Sequence, residues 1–131
     1  MAKLGSVTPI LRIFDEQKAR EFYIGFLGFM VDFEHRYEPG FPLYMGVSQS
    51  GCTLHLSEHF GDGSPGAQVR IPAEDIDSFS AGLLAKQYKN ARPCKAKMMP
   101  WGTKDLTIVD PFGNRLTFFE KKDEKLDNGN G

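Results

Sequence analysis

The stretch PWGTKDLTIVDPFGNRLTFFE, residues 100–120, predicts a β-hairpin. Apolar side chains recur at every second position on both sides of a central turn, at Leu106, Ile108, Leu116 and Phe118. That period is typical of strands with one buried face. The turn itself, residues 110–114, contains a proline that fixes one backbone angle and a glycine that accepts a positive one. Asp110 is expected to serve this turn by bonding the backbone.

Trp101 and Gly102 precede the hairpin. A large flat ring beside a flexible glycine suits the wall of a pocket that lies close to a ligand. A tryptophan packed in the core is the alternative interpretation.

Composition bounds the class of protein. The chain has 131 residues, 40% of them hydrophobic, which is enough for one domain, expected over residues 1–121. The 16 Lys and Arg residues nearly balance the 17 Asp and Glu residues, so no basic surface favours nucleic acid or an anionic membrane as a partner. No apolar run approaches the ~20 residues of a spanning helix, and no signal pattern opens the chain, so a cytoplasmic location is expected. Cys52 and Cys94 lack a CxxC spacing and are interpreted as structural.

The first half of the chain predicts a strand, a helix and three further strands. Val7–Phe14 alternates as a strand does, and Pro9 suits an edge position because it has no N–H donor. Asp15 is the expected N-cap of a helix whose apolar residues recur at helical spacing until Gly28. Short β-prone runs follow at residues 29–37, 42–48 and 51–58.

The second half repeats this order after a glycine-rich loop at residues 59–66. A strand is predicted at residues 67–72 and a helix at residues 74–88, with Asp75 as an expected cap. Three more strands are predicted at residues 92–99, 104–110 and 114–120. The charged, glycine-rich tail, residues 122–131, is expected to be disordered.

The pattern therefore predicts an α+β protein of two βαβββ modules, about residues 6–58 and 67–120. One helix covers only one face of its sheet, so the other face must be covered by the second module or line a cavity. A cupped mixed sheet around such a cavity is the expected architecture.

Six motifs carry a likeness to known proteins: Met1-Ala2-Lys3-Leu4, Thr8-Pro9-Ile10-Leu11, Arg20-Glu21-Phe22-Tyr23, Leu27-Gly28-Phe29, Pro100-Trp101-Gly102 and Asp110-Pro111-Phe112-Gly113-Asn114. They resemble motifs of the glyoxalase/bleomycin resistance/dioxygenase group, the vicinal oxygen chelate superfamily, and within it those of bleomycin resistance proteins. The resemblance spans about residues 1–121. It implies the glyoxalase/bleomycin resistance fold and a homodimer that exchanges its first strand, with Pro9 at the hinge.

Superfamily enzymes hold a divalent metal on side chains from four strands. The resemblance places these positions at Thr8, His55, Val69 or its neighbour Gln68, and Thr117. Only His55 is a good ligand, since neutral hydroxyls bind such ions weakly. Glu120 could replace Thr117 as a ligand only if the last strand slipped by three residues. A slip by an odd number turns the side chain to the opposite face of the sheet. No metal, no other cofactor and no catalytic residue is therefore expected.

The resemblance implies a protein that binds bleomycin-type antibiotics at a dimer interface without breaking a bond. Aromatic rings would stack on the drug, and the predicted ligand-binding residues are Phe33, His35, Tyr44, His55, Phe60, Trp101 and Gly102. His35 shares a strand face with Phe33, and that face is either cavity or solvent. His55 lines the cavity or is a hydrogen-bonded core histidine.

Two other functions stay open at this stage. The first is a metal-dependent lyase or dioxygenase of the same superfamily, with an unusual ligand set around His55 and Glu120. The second is a protein that binds another aromatic metabolite, or that only dimerises with a partner.

Overall fold

The computed structural model describes residues 2–89, 91 and 95–122. The chain forms two compact units, Met1–Ala67 and Gln68–Gly131. Each unit has four strands, with helical structure between its first and second strands. The predicted α+β class and the βαβββ order are confirmed. None of the described helices is long and apolar enough to cross a membrane.

The first unit contains a four-stranded mixed sheet of order β1-β4-β3-β2, in which only β1 and β4 run parallel. Its elements are β1 (Ile10–Arg12), α1 (Glu16–Ala19), a π-helical segment (Arg20–Phe26), β2 (Met30–His35), β3 (Tyr44–Gln49) and β4 (Cys52–Ser57).

The first helix begins and ends as predicted but changes its winding. The Asp15 side chain accepts a hydrogen bond from the Lys18 N–H at 2.9 Å, which confirms it as the N-cap. After one α-helical turn the helix widens, and the Leu27 N–H bonds the Phe22 carbonyl five residues back. Gly28 then ends the helix with a φ of +88°.

The first strand is shorter than the predicted range of residues 7–14. Only Ile10–Arg12 pairs with β4, and the Pro9 carbonyl accepts one further bond from the His55 N–H at 3.0 Å. Residues 2–9 have no regular structure, and their apolar side chains Leu4 and Val7 are 93% and 88% exposed. A proline beside an edge strand cannot donate to the ladder, so pairing starts only after it.

The second unit contains a sheet of order β5-β8-β7-β6. Its elements are β5 (Gln68–Pro72), α2 (Ile76–Lys86), β6 (Lys97–Met98), β7 (Thr103–Val109) and β8 (Arg115–Lys121). The predicted hairpin is the β7–β8 pair, and Asp110 serves its turn by accepting bonds from the N–H groups of Phe112 and Asn114 at 2.8 Å. Residues 92–94 of the predicted strand 92–99 and residues 123–131 of the predicted tail lie outside the described residues.

The start of α2 corrects the role predicted for Asp75. Asp75 has a φ of +55° and its side chain makes no capping bond. Instead the Glu120 carboxylate, from β8, accepts bonds from the N–H groups of Asp75 and Ile76 at 3.1 Å each. The spacing along the chain cannot show this, because the capping residue comes from 44 or 45 positions away.

Candidate functional site

The first sheet has one buried face and one open face. On the buried face, apolar side chains such as Leu11, Met45 and Leu56 are at most 1% exposed. Residues directly opposite one another on neighbouring strands point to the same face. Three rows of such partners share the opposite face, which we call the open face: Met30, Ser48 and Thr53, then Ile10, His55, Gly46 and Phe33, and then Arg12, Ser57, Tyr44 and His35.

A bulge in β2 puts Phe33 on the open face. Val31 pairs with Val47, yet Phe33 pairs with Gly46, so β2 contains one more residue than β3 over this step. In a regular ladder Phe33 would lie opposite Met45, whose side chain is fully buried. The extra residue therefore turns Phe33 and His35 away from the core and towards the open face.

Three rings meet at the centre of this face, and we call Phe33, Tyr44 and His55 the aromatic cluster. The Phe33 and Tyr44 rings are stacked, with centroids 6.2 Å apart and an interplanar angle of 17°. His55 stands edge-on to both, at 5.2 Å from Phe33 and 5.3 Å from Tyr44. Phe33 remains 43% exposed, so the cluster presents an apolar ring to whatever lies above the sheet.

Gly46 makes room for this arrangement. A Cβ atom on Gly46 would lie 2.3 Å from Cε2 of Phe33, far inside van der Waals contact. The Phe33 ring therefore lies directly on the backbone of β3. Gly46 is absent from the residues predicted from the sequence, although a glycine inside a strand is the usual signal of such a close approach.

A hydrogen bond links two members of the cluster. The Tyr44 hydroxyl lies 2.8 Å from Nδ1 of His55. Burial raises the pKa of Tyr44, and the negative charge of Asp62 adds to the effect. The phenol is therefore neutral at physiological pH, and the pair combines a neutral hydroxyl with an imidazole on an otherwise aromatic surface.

His35 and Phe60, the other two predicted ligand-binding residues of the first unit, are not part of the aromatic cluster. His35 follows in the third row, and its ring contacts Tyr37 with centroids 4.8 Å apart. Phe60, in the loop after β4, is 95% exposed, and its ring centroid lies 5.9 Å from the guanidinium carbon of Arg12. Arg12 belongs to the same row of the open face as Tyr44 and His35, and it adds a positive charge there. The sequence patterns did not single it out.

Trp101 and Gly102 belong to the second unit. Trp101 is 61% exposed, which contradicts the alternative of a core tryptophan. Gly102 has a φ of +96°, a conformation that favours glycine, and its carbonyl accepts a bond from the Lys122 N–H at 2.8 Å. Both residues lie at the start of β7, as the hairpin prediction requires.

The side chains at the superfamily's metal positions do not fit a divalent cation. Nδ1 of His55 is bonded to Tyr44, and the Thr117 hydroxyl pairs with that of Thr107 at 2.8 Å. Gln68 accepts from Arg115 at 3.0 Å. Among the described residues no three His, Cys, Asp or Glu side chains are grouped as a metal site requires. Thr117 and Gln68 offer only neutral oxygen atoms, and all three side chains are bonded to protein partners, whereas such ions prefer several carboxylates or imidazoles.

Glu120 and Cys52 have structural roles. Bonds from the Ile76 and Asp75 N–H groups lower the pKa of Glu120 and direct its carboxylate to the start of α2. Burial raises the pKa of the Cys52 thiol, which makes it a poor nucleophile, as its structural interpretation implies. Cys94 lies outside the described residues.

Two surface grooves of the first unit, about 630 and 450 Å³, lie around the start of α1 and contain no member of the aromatic cluster. Their charged side chains pair with one another: Arg20 bonds Glu16 and Glu34, and Arg36 bonds Glu16. The Arg20 hydrogen bond lowers the pKa of Glu16, with a smaller contribution from Arg36. This network links α1 and the π-helical segment to β2 and to Arg36 just beyond it.

Comparison with known proteins gives one family and several similar folds. The sequence profile of the family described as "Glyoxalase superfamily protein" matches residues 2–125. TnmS3, an antibiotic binding protein from Streptomyces sp. CB03234, has a TM-score of 0.74 at 22% identity, covering 92% of this chain and 98% of that one. The bleomycin-binding protein of the bleomycin-producing Streptomyces verticillus, solved with copper(II)-bleomycin, has a TM-score of 0.69 at 23% identity, covering 90% and 97%. A bleomycin resistance determinant encoded on the transposon Tn5 has a TM-score of 0.71 at 20% identity, covering 91% and 99%.

A sequence comparison with curated proteins gives no match. The structural likeness nevertheless extends over nine tenths of the chain, and it shows the glyoxalase/bleomycin resistance fold that the motifs predicted. The family profile covers nearly the whole sequence. The chain therefore belongs to the glyoxalase superfamily.

Proposed function

We propose that this protein binds and sequesters bleomycin-type glycopeptide antibiotics, without a metal of its own and without chemical change, and so confers resistance. The observation that carries the proposal is the aromatic cluster on the open face of the first sheet. Solved proteins of similar fold include two described as bleomycin-binding or bleomycin resistance proteins.

The physical basis of the proposal is stacking. Phe33 is 43% exposed and Trp101 is 61% exposed, so each offers an aromatic face to a planar ring system such as the bithiazole of the drug. A stacked aromatic pair contributes about 0.5–1.5 kcal/mol beyond the burial of its surface. Stacking requires no bond to break, and among the described residues no three His, Cys, Asp or Glu side chains are grouped as a metal site.

We also propose that the protein acts as a homodimer in the cytoplasm. Leu4 and Val7, in the segment before β1, are almost fully exposed and would be buried if this segment packed on a second copy. Size-exclusion chromatography with light scattering tests this, and a mass of one chain at micromolar concentration would contradict it.

Isothermal titration calorimetry with metal-free and copper(II)-bleomycin tests the function. We expect saturable heat with both forms and protection of plasmid DNA from bleomycin cleavage at stoichiometric protein. Phe33→Ala should weaken binding. Phe41→Ala is the matched control, because Phe41 has a similar exposure of 45% but lies outside the aromatic cluster. Absence of heat together with unprotected DNA would refute the proposal.

Elemental analysis of protein purified without chelator separates this function from a metal-dependent lyase or dioxygenase. The side chains described above predict less than stoichiometric nickel, zinc, manganese or iron. One equivalent of any of them per chain would favour the enzyme.

A further inference from the structure

The hydrogen bond between Tyr44 and His55 determines what their side chains offer to a ligand. Within the described residues of the first unit, the Tyr44 hydroxyl has no partner other than Nδ1 of His55, at 2.8 Å. A neutral phenol has one O–H to donate, and a neutral imidazole has one nitrogen that accepts. In the tautomer with the proton on Nε2, the hydroxyl donates to Nδ1 and both groups of the pair are satisfied.

Nε2 of His55 is the free end of this pair. No hydrogen bond to Nε2 exists within the described residues of the first unit, and His55 is only partly buried. Phe33 lies edge-on to the imidazole with ring centroids 5.2 Å apart, so the imidazole adjoins an exposed aromatic ring. A single fixed donor on an apolar surface is the usual way in which such a site fixes the orientation of a ligand.

We propose that the Tyr44–His55 pair sets ligand specificity by donating the Nε2–H of His55 to an oxygen acceptor attached to, or conjugated with, a planar aromatic ring that stacks on Phe33. The ligand class is then flat aromatic molecules with a carbonyl or carboxamide oxygen at the ring edge. This inference rests on the proposed binding function, and it specifies which group of the ligand the first unit recognises. Tyr44 acts through His55 and is a positioning residue.

Two probes that differ in one carbonyl test the inference: 9-fluorenone and fluorene, each with a trimethylammonium group at position 2 for solubility. Both have the same ring frame and charge and no other oxygen, so the ratio of their affinities in wild type and variants reports the carbonyl acceptor. We expect the wild-type protein to bind the fluorenone about five- to tenfold more tightly, the factor that one hydrogen bond of about 1–1.4 kcal/mol supplies.

Variants assign this preference to the pair. His55→Phe keeps a ring but removes the donor and should reduce the affinity ratio to about one. Tyr44→Phe frees the imidazole to put its proton on either nitrogen and should lower the ratio while leaving it above one, because part of the rings then lack the Nε2 proton. Tyr37→Phe is the control, since Tyr37 contacts His35 and His59 but no member of the aromatic cluster, and it should leave the ratio unchanged.

The outcomes separate this inference from the proposed function. Equal affinity for the two probes, or a preference that survives His55→Phe, overturns the role of the pair and leaves the aromatic surface intact. Binding of neither probe overturns the role of the pair, whereas the proposed function stands or falls with the bleomycin titration. A fluorenone preference that is lost in His55→Phe, in a protein that gives no heat with bleomycin, supports the pair and refutes bleomycin as the ligand.

Discussion

Gly46→Ala is the sharpest test of how the open face is built. An added methyl group would lie 2.3, 2.9 and 3.0 Å from three ring atoms of Phe33, whereas carbon atoms pack at about 3.5–4.0 Å. The ring must therefore move by about 1 Å or more, and because Phe33 is half-exposed it can swing towards solvent. It would then lose its stacking on Tyr44 and its edge contact with His55.

These losses set the magnitude of the effect. Each aromatic pair contributes about 0.5–1.5 kcal/mol, and overpacking elsewhere costs about 1–3 kcal/mol, so Gly46→Ala should lower the free energy of unfolding by about 1–2 kcal/mol. Urea denaturation followed by tryptophan fluorescence and by circular dichroism measures this, provided that the two transitions coincide. The affinity for copper(II)-bleomycin should fall with it, because the displaced ring no longer lies flat on the sheet.

A double-mutant cycle decides whether Phe33 is the cause. In a Phe33→Ala background the obstructing ring is absent, so Gly46→Ala should change stability by less than about 0.5 kcal/mol and the coupling energy should be about 1–2 kcal/mol. Gly82→Ala is the control, because Gly82 lies in α2 with open space around it. This substitution should raise the free energy of unfolding by about 0.5–1 kcal/mol. If Gly46→Ala still lowers the free energy of unfolding by about 1–2 kcal/mol in the Phe33→Ala background, the geometry described for this face is refuted.

Two further predictions concern the second unit. Glu120→Ala should lower the free energy of unfolding by about 1 kcal/mol, because the N–H groups of Ile76 and Asp75 lose their acceptor. The pKa of Glu120 is lowered in the folded protein, so its contribution to stability is present above the unfolded-state pKa and is lost as the pH falls through the folded-state pKa. The urea midpoints of Glu120→Ala and wild type should therefore converge in acid. A difference that stays constant with pH would contradict the capping role of Glu120. Trp101→Ala should change stability by less than about 0.5 kcal/mol, because the ring is 61% exposed, but should weaken calorimetric binding of copper(II)-bleomycin. Unchanged affinity would remove Trp101 from the ligand site.

The order of elements was predictable because it depends on local patterns. Period-two alternation with a Pro and Gly turn defines the β7–β8 hairpin, and helical spacing after Asp15 with a glycine stop defines the first helix. The predicted extent of β1 was wrong because the length of a strand depends on the neighbouring strand that pairs with it. The ladder with β4 spans Ile10–Arg12, with flanking bonds to the Pro9 carbonyl and from the Ile13 N–H, and no local property of residues 7–9 or 13–14 shows where it stops.

The members of the aromatic cluster were all among the predicted ligand-binding residues, but their arrangement was not predictable. Alternation placed Phe33 and His35 on one face of β2 but could not say which face, because the bulge that decides it is a property of the pairing with β3. The place of Gly46 beneath Phe33 and the bond between the Tyr44 hydroxyl and His55 follow only from the register between strands. The chain thus specifies the rings locally and their arrangement through contacts between strands.

The position of His55 shows how one fold can serve different chemistry. In a histidine that binds a metal through one ring nitrogen, the N–H of the other nitrogen usually donates a hydrogen bond to a carboxylate or a carbonyl. This bond makes the ligating nitrogen more basic. In this protein Nδ1 of His55 instead lies 2.8 Å from the Tyr44 hydroxyl, a group that can donate a hydrogen bond as well as accept one. A cation at Nε2 requires the proton on Nδ1, so the Tyr44 hydroxyl would then have to accept this bond and give up Nδ1 as the acceptor for its own proton. A phenol in the place of a carboxylate or carbonyl therefore favours hydrogen bonding to a ligand over metal binding at His55.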